Sequence, residues 1–146
     1  FLNQEFQAVV DDPSLAGRDL RVRPDSLRNP LKSGTLWRQS SFFKVWKQRH
    51  IVISEDCLMF WYGTPQDSGP EDVISLKRAT GVRRDESSGR PNTFIVSVKG
   101  GVVYPFSTAT EEEMESWLRA IGKAIVRATT TEWDETSDRI AEQQGP

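Results

Sequence analysis

The chain has 146 residues, 36% of them hydrophobic and 27% charged, with a formal net charge of -2. That length and composition fit one globular domain with short extensions, long enough to bury a sizeable core. A near-neutral balance selects no class of partner, no apolar run approaches the roughly 20 residues that a bilayer-spanning helix needs, and the single cysteine, Cys57, excludes an internal disulfide.

No charged-then-apolar leader opens the chain and no Asn-x-Ser/Thr sequon occurs, so the cytoplasm is the expected compartment. Residues 1–12, FLNQEFQAVVDD, place Leu2, Phe6, Val9 and Val10 on one helical face ahead of Pro13, which predicts an extra N-terminal helix. The Pro-, Gly- and Arg-rich stretch that follows reads as an irregular linker, so that residues 1–31 form a first segment.

Beyond Pro30 the apolar period changes from helical to two. Segments 33–39, 45–53, 57–63, 72–76, 80–85, 92–98 and 102–107 are short and rich in β-branched and aromatic residues. Turn formers such as TPQDSGP, ESSGRPN and KGG separate them. Seven strands at near-regular spacing predict an antiparallel sandwich or barrel. Next, Met114, Trp117, Leu118, Ile121 and Ile125 follow the spacing of an amphipathic helix. Thr110 is its N-cap and Glu113 completes a capping box, and the run Glu111–Glu115 suits the positive end of the helix dipole. Residues 128–146 form an acidic extension, with a short second helix expected through Trp133 and Ile140.

Residues 31–125 carry 13 basic and 11 acidic groups, and four of those acids are Glu111, Glu112, Glu113 and Glu115. One end of the domain is therefore expected to be cationic. The stretch SSFFKVWKQRH, residues 40–50, sets adjacent rings, Phe42 and Phe43, beside Lys44, Lys47 and Arg49. No nucleotide loop, zinc spacing or nucleophile–base pattern occurs, so neither enzymatic activity nor a metal or other cofactor is expected. The basic residues are few and no aromatic platform accompanies them, which argues against a nucleic-acid partner. His50 and Cys57 carry no partner that would make them metal ligands or nucleophiles.

The ordered set SGTLWR, WKQRHIVI, CLMFWY and YPFSTATEEEMESWLRAIGKAI resembles the pleckstrin homology (PH) domain over roughly residues 32–125, and is most similar in feel to the PH domains of cytohesin-type Arf exchange factors. The resemblance implies a mainly β fold. Its core is a seven-stranded antiparallel sandwich or barrel over 32–127, plugged at one end by a C-terminal helix with Trp117 at the family's tryptophan. The opposite end is left open, and ligands of such domains commonly bind there. Alternation puts Lys47 and Arg49 on the face of Ile51 and Ile53, which must be interior, with Arg38 facing them across the hairpin. Arg38, eight intervening residues, Lys47, one residue and Arg49 fit the family's phosphoinositide signature.

By resemblance, then, Arg38, Lys44, Lys47 and Arg49 bind a lipid head group, and Phe42 and Phe43 act as a membrane wedge. The implied role is a membrane-targeting module, cytoplasmic and peripheral on phosphoinositide-containing membranes. The alternative is a regulatory PH domain that binds a small GTPase or another domain of its parent protein. Three departures point to a truncated site. Phe60 stands where relatives carry a phosphate-contacting tyrosine, Glu71 has the wrong sign for its neighbourhood, and the last hairpin offers only Lys99.

Overall fold

The computed structural model describes residues 21–40 and 44–143, the last 13 of them by backbone alone. The N-terminal helix expected over 1–12 and the rings of Phe42 and Phe43 lie outside the described residues. The strands are β1 (Lys32–Gln39), β2 (Trp46–Ile53), β3 (Leu58–Tyr62), β4 (Asp72–Ser75), β5 (Ala79–Arg84), β6 (Thr93–Val98) and β7 (Val103–Ser107), and one helix follows, α1 (Glu111–Gln143). Every strand pairs antiparallel with its neighbours in the order β4-β3-β2-β1-β7-β6-β5. The expected seven-stranded antiparallel architecture with one C-terminal helix is the observed one.

The two faces of the strands bury different clusters, because residues two apart share a face. Inside, Leu36, Ile51, Ile53, Met59, Trp61, Phe94, Val96 and Phe106 form the main core. Outside, Leu58, Phe60, Tyr62, Val52 and Val73 make a second cluster, covered by Val22 and Leu27. That cover comes from the stretch read as a linker, which turns through a short 3-10 element at Pro24–Ser26 and is packed from Val22 onward. Over residues 21–31 the backbone is largely irregular, as a linker would be, but the segment is not simply exposed. An outer sheet face bearing five apolar side chains has to be covered by something.

The helix closes one end of the barrel. Met114, Trp117, Ile121 and Ala124, at spacings of 3, 4 and 3, are all buried against the main core. Trp117 lies so close to β1 that a Cβ on Gly34 would stand 3.3 Å from its Cζ2, and a side chain there would have to shift the ring by a few tenths of an ångström. Lys32 sits over the same ring at 5.0 Å and donates to Ser116 Oγ at 2.8 Å. Thr110 caps as expected, its hydroxyl accepting from the Glu113 N–H at 3.1 Å.

Two readings of this region change. Glu111 and Glu115 do more than favour the dipole, since they grip Arg84 of β5 at 3.1 and 2.6 Å. In addition, no second helix forms, because α1 continues unbroken to Gln143. From Lys123 to Gln143 the sequence holds neither glycine nor proline, so nothing breaks the helix.

Candidate functional site at the open end of the barrel

The β1–β2 register decides which side chains meet at the unplugged end. Leu36 stands opposite Arg49 and Arg38 opposite Lys47. Residues directly opposite in an antiparallel pair share a face. Since Leu36 is fully buried in the main core, Arg49 points inward, and Arg38 and Lys47, two residues further along, point the same way. The hairpin is closed by Ser40 and Val45, whose N–H···O bond is 2.9 Å. Lys44 turns back through a left-handed φ of 52° to donate its N–H to Ser40 O at 3.0 Å. Lys44 and Lys47 are exposed and form no ion pair among the described residues.

The two guanidinium groups converge on one carboxylate. Arg49 Nε lies 2.8 Å from Glu71 Oε2, and Arg38 Nη1 lies 3.7 Å from Glu71 Oε1. Both arginine side chains are mostly buried, 17% and 20% exposed, against 40% for Glu71. The short Arg49 contact is out of line for a hydrogen bond, and among the described residues Nε of both arginines finds no hydrogen-bond acceptor. Arg49 also donates from Nη1 to Gln48 O at 2.7 Å. Arg38 lies over the Trp61 ring at 5.0 Å, and the Tyr104 ring is tilted against Trp61 at 5.5 Å.

Two further acids stand nearby, Asp67 on the β3–β4 connection and Asp72 at the start of β4. Burial pushes the Asp72 carboxyl up, only partly offset by its bond from the Val73 N–H and by Arg38. Asp67 is held below the usual range, first by the Thr64 hydroxyl and to a lesser degree by Arg49. Burial also raises the Tyr104 phenol, with Asp72 adding to the effect.

Sequence reasoning thus brought Arg38, Lys47 and Arg49 to one face, and the structure puts them there. It missed Trp61 and Tyr104 as the aromatic wall and did not foresee that Glu71 pairs with both arginines. Phe60 corrects an expectation. Its ring lies in the outer cluster, on the face opposite Trp61, and so does not line the mouth. His50 lies on that same outer face 6.3 Å from Tyr62, and Cys57 is a buried core residue whose thiol is pushed up by burial. Among the described residues no three His, Cys, Asp or Glu side chains converge as a metal site, and no helix is long and apolar enough to cross a membrane.

The rim carries a feature absent from the sequence reading. Five large apolar side chains are exposed among the described residues, and three of them, Val45, Val102 and Val103, belong to the β1–β2 and β6–β7 hairpins. Both hairpins lie at the end away from Trp117, because β7 runs antiparallel to β1 with Ser107 beside Trp37.

A barrel of this topology has counterparts. A profile of the PH domain matches residues 30–126. The chain belongs to the PH domain family. This PH domain is 34% identical over 104 residues to Pleckstrin homology domain-containing family A member 6 of Mus musculus, covering 66% of the chain and 9% of that protein. It is 30% identical over 141 residues to GTP exchange factor for ARFs 1 of Caenorhabditis elegans, covering 80% of the chain and 35% of that protein. The chain therefore spans well under two thirds of the length of these curated relatives.

Among solved structures it is similar to the C-terminal PH domain of pleckstrin in complex with D-myo-Ins(1,2,3,5,6)P5, at 29% identity and a TM-score of 0.60, covering 66% of this chain and 95% of that one. The Slm1 PH domain, at 23% identity and a TM-score of 0.58 over 66% of this chain and 96% of that one, shares the fold.

Proposed function

We propose that this PH domain is a membrane-targeting module that binds phosphoinositide head groups at the open end of its barrel. The observation that carries the reading is the convergence of Arg38 and Arg49 on a single oxyanion, the Glu71 carboxylate, at that end. A guanidinium pair that holds a carboxylate can hold a phosphate by the same donors. Lys47 and Lys44 add exposed positive charge beside the pair. The pleckstrin domain solved with an inositol pentakisphosphate supports the ligand class. On this reading the chain is a non-catalytic module, works at the cytoplasmic face of membranes without a cofactor, and has no nucleic-acid role.

Magnitudes say what else is needed. A basic residue near an anionic surface contributes about 1 kcal/mol, so Arg38, Lys44, Lys47 and Arg49 together give about 4 kcal/mol, roughly millimolar affinity. Charge alone holds the domain weakly. Insertion of Phe42 and Phe43 would add up to about 3–6 kcal/mol if both rings were fully buried. The exposed Val45, Val102 and Val103 on the same rim support such an apolar contact.

Co-sedimentation with phosphatidylcholine vesicles, with and without phosphoinositide, tests the reading. Wild type should pellet with the phosphoinositide vesicles, and Arg49→Ala should lower the bound fraction by about tenfold in apparent affinity. Equal binding by Arg49→Ala and wild type would remove the site assignment. A second reading, docking to a small GTPase or to a neighbouring domain, is favoured by the 30% identity to GTP exchange factor for ARFs 1 over 80% of the chain. It predicts no phosphoinositide dependence in the same experiment.

A further inference from the structure

Resting on that reading, we propose that Glu71 is a built-in competitor for the head-group seat: its carboxylate occupies the position between Arg38 and Arg49 that a phosphate must take, and binding proceeds by displacing it. The same contacts could be a structural ion pair that only neutralises two buried arginines. Three observations favour competition.

First, the attachment is asymmetric. The Glu71 backbone is fixed, its N–H donating to Trp61 O at 2.8 Å, whereas its side chain is 40% exposed. The carboxylate can swing into water without moving the loop.

Second, the contact is poor as a bond and adequate as a placeholder. Arg49 Nε is 2.8 Å away but misaligned, the Arg38 contact is 3.7 Å, and Nε of both arginines has no acceptor among the described residues. Two mostly buried guanidinium groups with free donors are under-satisfied by one carboxylate, which leaves a tetrahedral phosphate with more oxygens to gain.

Third, the loop that delivers Glu71 is braced before any ligand arrives. Thr64 Oγ1 donates to Asp67 Oδ1 at 2.6 Å and the Asp67 N–H donates to Thr64 O at 3.3 Å. A Cβ on Gly63 would meet Asp67 Oδ2 at 2.9 Å, so a side chain there would push the Asp67 carboxylate aside. The acid is thus presented to the seat by a preorganised turn. The physical consequence is a threshold. A monoanionic head group exchanges one charge for one and gains little, whereas a polyphosphorylated one brings more charge than it displaces.

The test measures wild type, Glu71→Gln, Glu71→Asp, Arg49→Ala and the Glu71→Gln/Arg49→Ala double variant. Binding is read with soluble inositol tetrakisphosphate by calorimetry and with phosphatidylcholine vesicles carrying or lacking phosphatidylinositol bisphosphate by co-sedimentation. Melting is followed on the same samples to establish that each variant is folded. Glu71→Gln is expected to bind both probes roughly three- to tenfold more tightly than wild type, while melting no higher. Glu71→Asp, which retracts the charge by one methylene, should fall between them, and the double variant should lose the gain. Gain with the soluble probe assigns the effect to the phosphate seat itself; gain with vesicles alone, irrespective of the phosphoinositide, assigns it to general surface charge and overturns the proposal. If Glu71→Gln binds no better than wild type while Arg49→Ala binds worse, the seat stands and the competitor role fails. If neither wild type nor Glu71→Gln binds either probe, the head-group reading fails and the competitor role with it.

Discussion

Arg49 shows what a period of two can and cannot reveal. Its facing follows from Ile51 and Ile53, because an apolar pair that must be interior drags every second residue with it. Its partner does not follow. Glu71 comes from a connection whose path is set by the Thr64–Asp67 turn and by one backbone bond to Trp61, and neither appears in any apolar pattern. Arg90 makes the same point. It reaches from the β5–β6 loop to lie 5.3 Å from the Trp37 ring and 5.0 Å from the Trp46 ring, with Nε donating to Ser107 Oγ at 2.8 Å. Those contacts fasten the loop to the outer face of β1 and β2, through residues that no apolar pattern connects.

Asp72 yields a pH prediction at this scale. Burial raises its carboxyl above the ordinary 3.8, with Glu71 adding to the rise and the Val73 N–H and Arg38 opposing it; Tyr104 faces it from β7. The folded state therefore holds a proton that the unfolded state has released. Stability is larger below the unfolded value and falls as pH rises through the folded one. Asp72→Asn should flatten that fall, measured as urea midpoints across the acid range. A wild-type slope unchanged by the substitution would mean that Asp72 is ionised at its ordinary pKa.

The elements were the most legible level. All seven strands stand within a residue or two of their expected bounds, since alternation and β-branched content agreed along the strands and Gly or Pro turns marked several of the boundaries. The KGG hairpin is one such case, with Gly100 and Gly101 at φ of 93° and 81°. The helix start was legible through Thr110, whereas its end was not. An amphipathic period reports burial, so it fades where α1 leaves the barrel, although the backbone continues to Gln143. The plug itself makes a plain prediction. Trp117 is 4% exposed and packs on Gly34 and Lys32, so Trp117→Ala should cost about 3–5 kcal/mol in chemical denaturation. A loss under about 1 kcal/mol would mean that the helix does not close the barrel.

For the whole molecule, the domain as folded begins earlier than the family match at residue 30. Val22 and Leu27 cover the outer cluster of Phe60, Tyr62 and Val73. Removing residues 1–27 should destabilise the barrel by about 2–4 kcal/mol, the burial lost by two aliphatic side chains and their partners. Unchanged melting after this truncation would make the segment a passive tether. The charge dipole read in the sequence is more local than it looked. Arg84 is consumed by Glu111 and Glu115, and the arginines at the mouth share their field with Glu71, so the exposed cations of that end include Lys44, Lys47 and Lys99. A separate basic groove, lined by Lys32, Arg119 and Lys123, runs along α1 at the plugged end. The two basic regions lie at opposite ends of the barrel, which makes the location of binding decidable.

The most direct measurement is an NMR titration of the isotope-labelled protein with soluble inositol tetrakisphosphate, following backbone amides and arginine Nε–H signals. The account predicts the largest shifts at Arg38, Lys47, Arg49 and Glu71, with Lys32, Arg119 and Lys123 unmoved. Shifts centred on that helix groove, or on Trp37, Trp46 and Arg90, would contradict it, as would an unchanged spectrum at saturating ligand.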